Sequence, residues 1–111
     1  MYAPFVRVRP IPGNIRNATV VDTAALSRLL TTTPANVNAL LSRGHMLVLD
    51  RCDGTLGAAI HLDLVDGRAT MDMLVVDPSL AGCDLEDRMT GVARALCEAY
   101  GCDRVETRAA R

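Results

Sequence analysis

At 111 residues, half of them apolar and with a net charge of −1, the chain is long enough for one domain with a single hydrophobic core and little surplus. No basic patch of the kind that binds nucleic acid or anionic membrane is present, and no apolar run reaches the roughly 18 residues that span a bilayer. Aromatic residues are confined to Tyr2, Phe5 and Tyr100, so the core must be aliphatic, and every basic side chain is an arginine.

Residues 1–13 read as an N-terminal arm: Pro4, Pro10 and Pro12 interrupt the apolar stretch that a signal peptide needs. The four cysteines, Cys52, Cys83, Cys97 and Cys102, form no closely spaced metal-binding pair, and His45 and His61 lie far apart in sequence. Without an export signal they are expected to be free thiols of a cytoplasmic protein with no metal.

A single domain is expected over 14–111. Asn14 to Thr19 reads as extended, and Asp22 stands where its carboxylate would cap a helix over 23–31, whose apolar side carries Ala25, Leu26, Leu29 and Leu30. Thr33 and Pro34 are placed as N-cap and first residue of a second helix with the stripe Val37, Leu40, Leu41, ended by Gly44. Three strands follow, near 46–49, 55–65 and 68–76, joined by Asp53-Gly54 and Asp66-Gly67 turns that make an antiparallel meander. Pro78 ends the extended structure. A long helix over 84–100 is expected to bury Leu85, Met89, Val92 and Leu96, Gly101 caps it, and 103–109 is a last strand. The order is β-α-α-β-β-β-α-β, an α+β class with a mixed, mostly antiparallel sheet.

That order, with Ile15-Arg-Asn-Ala-Thr19 followed by Asp22, and Met73-Leu-Val-Val-Asp-Pro78 followed by a small loop and the long helix, resembles the GCN5-related N-acetyltransferase (GNAT) superfamily over most of 14–109. The resemblance implies acetyl-coenzyme A as cofactor. It places the pantetheine arm against the backbone of Leu74, Val75 and Val76, and the pyrophosphate at the loop Gly82, Cys83, Asp84, Leu85, Glu86. In the family this loop runs Arg/Gln-x-x-Gly-x-Gly/Ala. Here Ala81 stands for the first residue, while Asp84 and Glu86 replace the two glycines. Glycines let the backbone approach the phosphates, and the amides and positive end of the helix hold them. Asp84 with Asp87 is close to a capping box that would use those amides internally, and the carboxylates repel a phosphate, so the loop reads as disabled.

Asp72 aligns with the position where some relatives carry a general-base glutamate, and is the catalytic candidate. It reads also as the solvent-facing member of a Met-Asp-Met strand. His61 and Asp63, on one face of the preceding strand, read as acceptor-binding residues or as an ordinary solvated strand face. Cys83 precedes a helix N-terminus, but its acidic neighbours oppose a thiolate; Cys97 and Cys102 read as packing residues.

The family continues beyond its fifth strand with a helix and two strands, a C-terminal α-β-β part that the resemblance implies is lacking here. The 103–109 strand is then expected at an edge, covered by a homodimer mate or another protein. Two functions follow: a non-catalytic binding or regulatory module on a GNAT scaffold, or an atypical compact acyl-coenzyme A-dependent N-acyltransferase acting on a small or protein amine.

Overall fold

The computed structural model describes residues 13–80, 84–102 and 104–107. The expected arm, the loop residues Ala81, Gly82 and Cys83, and the ends of the 103–109 strand therefore lie outside the described residues. Strand β1 (Asn14–Asn17) leads through a short 3-10 turn, Val20–Asp22, into α1 (Thr23–Leu30) and α2 (Pro34–Ser42). Then come β2 (His45–Asp50), β3 (Leu56–Val65), β4 (Arg68–Val76), a second 3-10 turn, Pro78–Leu80, α3 (Leu85–Ala99) and β5 (Arg104–Thr107). The strands lie in sequence order in one five-stranded sheet, antiparallel except for β4–β5, which is parallel because α3 crosses between them. The expected element order and mixed sheet are what the chain forms.

Local chemistry explains the boundaries. Thr33 accepts a bond from the amide of Asn36 at 3.2 Å and Pro34 opens α2. Asp66 and Gly67 both have positive φ (51° and 75°), the backbone of a tight hairpin turn matched to strand twist. Gly101, at φ 81°, closes α3, with the amide of Cys102 bonded to the carbonyl of Cys97 at 3.1 Å.

Helices cover both faces of the sheet. Leu47, Leu49, Ala58, Ile60, Leu62 and Met71 pack against Leu85, Met89, Ala93 and Cys97 of α3. On the other face Leu26, Val37 and Leu40 of α1 and α2 pack on Met46, Val48, Leu56 and Ala59. Burial along β3 is therefore continuous from Leu56 to Leu62 instead of alternating. Two expectations are corrected here. The buried stripe of α3 runs through Ala93 and Cys97, whereas Val92 is exposed and Leu96 only half-buried, since a four-residue repeat tracks this contact. Cys97 is a packing residue, and burial pushes its thiol above the ordinary range, helped by the neighbouring Cys102. His61 is fully buried, not on a solvated face, because α2 lies over that side of β3.

Asp22 does not cap α1. It is only 7% exposed, yet its side chain bonds no amide of that helix. Thr19 and Asp22 instead close a capping box around the 3-10 turn, with the Thr19 amide 2.8 Å from Asp22 Oδ2. Both carboxylate oxygens accept from the Arg16 guanidinium at 2.8 and 2.9 Å, and Arg16 Nε reaches Asp50 on β2 at 3.0 Å. One arginine thus ties β1, the turn before α1 and β2 together.

Candidate functional site

Arg68–Met71 of β4 pair with Arg104–Thr107 of β5, the last described residues of that strand. Toward β3 the register slips between the pairs His61–Asp72 and Ala59–Val75, so β4 holds one extra residue there. Met73 takes the strain of this bulge at φ 55°, a left-handed conformation uncommon for a non-glycine residue. Beyond the bulge β4 stays paired with β3 through Val75 and Val76, and Val76 lines a cavity with the first residues of α3. Leu74, Val75 and Val76 are half-buried.

Beside the bulge stands a polar pair in an otherwise apolar core. His61 Nδ1 is 3.2 Å from Asp72 Oδ1, and Nε2 is 3.1 Å from the carbonyl oxygen of Leu40 in α2. The Asp72 side chain is 14% exposed and that of His61 not at all. Asp72 is consequently not the solvent-facing strand residue of the simpler reading. Asp63 is half-buried two residues along from His61, and it is Asp72, across the β3–β4 ladder, that bonds the ring.

Beyond the bulge, β4 runs into a cavity of about 310 Å³ lined by Val76, Asp77, Pro78, Leu80, Asp84, Leu85, Glu86 and Asp87. Four of these eight residues are carboxylates. Asp77 is anchored: the Ser79 amide and hydroxyl, with the Arg51 guanidinium, hold its carboxyl below the usual range, and Arg51 Nη2 lies 3.1 Å from Oδ2. Among the described residues no cation pairs with Asp84, Glu86 or Asp87, all of them exposed.

Asp84 corrects one expectation and supports another. Its side chain makes no capping bond, so the capping box with Asp87 is absent and the first amides of α3 are not occupied by it. Its backbone lies at φ 55°, ψ 27°, a left-handed conformation that glycine adopts without cost. An aspartate thus occupies a glycine-like backbone position at the mouth of the helix.

The charge of these residues opposes a coenzyme A diphosphate. Its phosphates would meet the carboxylates of Asp84, Glu86 and Asp87 with no cation between, each contact at ~5 Å costing on the order of 1–3 kcal/mol. The helix dipole favours an anion by at most about 2 kcal/mol and each amide bonded to it by about 1.5–3 kcal/mol, so the carboxylates weaken a site that the free amides offer. Groups of His, Cys, Asp or Glu able to hold a metal ion are absent among the described residues. No helix among them is long and apolar enough to cross a membrane.

No protein-family model matches the sequence, and no curated protein matches it. Solved structures do share its fold. A ribosomal-protein-alanine N-acetyltransferase from Brucella melitensis superposes with a TM-score of 0.77 at 17% identity, over 88% of this chain and 81% of that one. An acetyltransferase from Trypanosoma brucei gives 0.72 at 19% identity, over 86% and 82%. A transcriptional regulator from Bacillus halodurans gives 0.71 at 14% identity, over 86% and 81%. The chain has the GNAT fold, as the order of its elements implied.

Proposed function

We propose that this chain is a non-catalytic binding or regulatory module built on an acetyltransferase scaffold, one that does not hold coenzyme A. The observation that carries this reading is the sign of charge at the mouth of α3: the glycine-like position is filled by Asp84, and Glu86 and Asp87 face the same cavity. Likeness of fold to acetyltransferases leaves activity open, because activity belongs to the site. That a protein described as a transcriptional regulator shares the fold is consistent with a role other than acyl transfer. Calorimetric titration with acetyl-coenzyme A tests the proposal. The wild-type chain is expected to show no binding up to millimolar ligand, and Asp84→Gly with Glu86→Gly to gain affinity by ~10²-fold, removal of two like charges at ~5 Å. Micromolar binding by the wild type refutes it.

A partner is part of the same proposal. Among the described residues β5 ends the strand order, and its outer edge is where a second copy or another protein would add or cover a strand. Sedimentation at several concentrations tests for the homodimer. A monomer throughout removes that occupant.

One observation favours the second reading, an atypical N-acyltransferase for a small or protein amine. Asp72 stands on β4 beside its bulge, bonded to a buried histidine, where a carboxylate would take a proton from an amine. A screen of amine acceptors with acetyl-coenzyme A, compared between wild type and Asp72→Asn, decides it: turnover lost in the variant supports this reading.

A further inference from the structure

His61 is the one imidazole enclosed in the core, and the binding-module reading does not use it. Its two ring nitrogens face two oxygens. The Leu40 carbonyl, at 3.1 Å, can only accept, so Nε2 must carry a hydrogen. Nδ1 faces Asp72 Oδ1 at 3.2 Å, and one further proton must lie between them, on the imidazole as an ion pair or on the carboxyl as a neutral pair. Space for this arrangement is provided by Gly44: a Cβ there would lie 3.3 Å from His61 Nε2 and 2.3 Å from the Leu62 carbonyl oxygen.

We propose that His61, Asp72 and the Leu40 carbonyl form a proton-dependent clasp that holds the end of α2 to the centre of the sheet beside the β4 bulge. With the shared proton present, both hydrogen bonds are satisfied. When it leaves, one must fail. If Nε2 keeps its hydrogen, the Nδ1 lone pair faces a carboxylate. If the hydrogen moves to Nδ1 to serve Asp72, a bare Nε2 faces the Leu40 carbonyl, and α2 loses its tie. The charged or titratable side chains on the elements around the ring are Asp63 on β3, Arg68 and Asp72 on β4, His45 and Asp50 on β2, and Arg43 at the end of α2. Asp72 is the one bonded to it.

A clasp of this kind couples the position of α2 to the bulge at Met73, since Asp72 immediately precedes it. The apolar alternative would fill the same space without that coupling, and a buried polar pair is a poor source of stability in itself.

The test uses amide hydrogen exchange over α2, normalised for intrinsic rates, in the full chain at mildly acidic and at alkaline pH. Exchange in wild-type α2 is expected to quicken roughly tenfold when the proton is removed, the effect of one unsatisfied buried hydrogen bond. Asp72→Asn should abolish this change. Its Nδ2 hydrogen donates to Nδ1 at any pH while Nε2–H keeps Leu40, so the variant mimics the protonated clasp. In parallel, nitrogen chemical shifts of the wild-type ring should show Nε2 protonated at neutral pH. The proposal is overturned if Asp72→Asn keeps the wild-type pH dependence, or if the ring carries its hydrogen on Nδ1 with Nε2 bare. The ring measurement decides the matter even if the variant fails to fold.

Discussion

Replacing Asp22 by alanine removes the node at which three segments meet. The carboxylate is 7% exposed and accepts two bonds from Arg16, at 2.8 and 2.9 Å, and one from the Thr19 amide at 2.8 Å. Breaking a buried ion pair costs about 3–5 kcal/mol, because the remaining charge is stranded. Here the arginine side chain is 38% exposed and keeps Asp50, so solvent and the second carboxylate absorb part of that loss. A destabilisation of about 2–3 kcal/mol remains, consistent with charge-assisted bonds at roughly 1.5–3 kcal/mol each. With a urea slope of about 1.5 kcal/mol per molar, the unfolding midpoint should fall by about 1.3–2 M. A fall below ~0.3 M at unchanged slope would refute the assignment of Asp22 as the node.

The same residue gives a pH dependence whose sign follows from its partners. The Arg16 hydrogen bonds, against a smaller opposing effect of burial, and then the Thr19 amide hold the Asp22 carboxyl below its ordinary value of 3.8. A carboxyl lowered in the folded state stabilises the fold fully above its unfolded value and ceases to do so as pH falls through the folded one. Wild-type stability should therefore decline below about pH 4, and the Asp22→Ala chain should lose less over the same interval.

Two further substitutions probe the backbone. Gly44→Ala would place a Cβ 2.3 Å from the Leu62 carbonyl oxygen, a main-chain atom held in the β2–β3 ladder, and should cost about 2–4 kcal/mol in thermal or urea unfolding. A variant as stable as wild type would show that β2 enters the sheet differently. Asp84→Gly should stabilise the chain by about 0.5–1 kcal/mol, because relief of a left-handed aspartate exceeds the entropy that glycine loses. A loss of stability would mean that Asp84 holds the helix through its side chain.

The elements were legible because their signals are local. Thr33-Pro34, the Asp66-Gly67 turn and Gly101 each act within a few residues, and each appears where the sequence put it. What was not legible depends on layers. Alternation along β3 places His61 and Asp63 outside, but the rule holds only for a sheet with one wet face, and α2 covers this one. Asp22 looks like a helix cap until Arg16, six residues earlier on another element, claims both its oxygens. For the candidate site, the acidic loop residues were visible and stand around one cavity, whereas the left-handed backbone of Asp84 and the pairing of His61 with Asp72 needed the fold.

The most direct test of the central claim is a calorimetric titration of the unmodified chain with acetyl-coenzyme A at low ionic strength, where electrostatic effects are least screened. An acidic cradle predicts no saturable heat up to millimolar ligand. Saturable binding in the micromolar range, displaced by free coenzyme A, would contradict it and return Asp72 to the role of catalytic base.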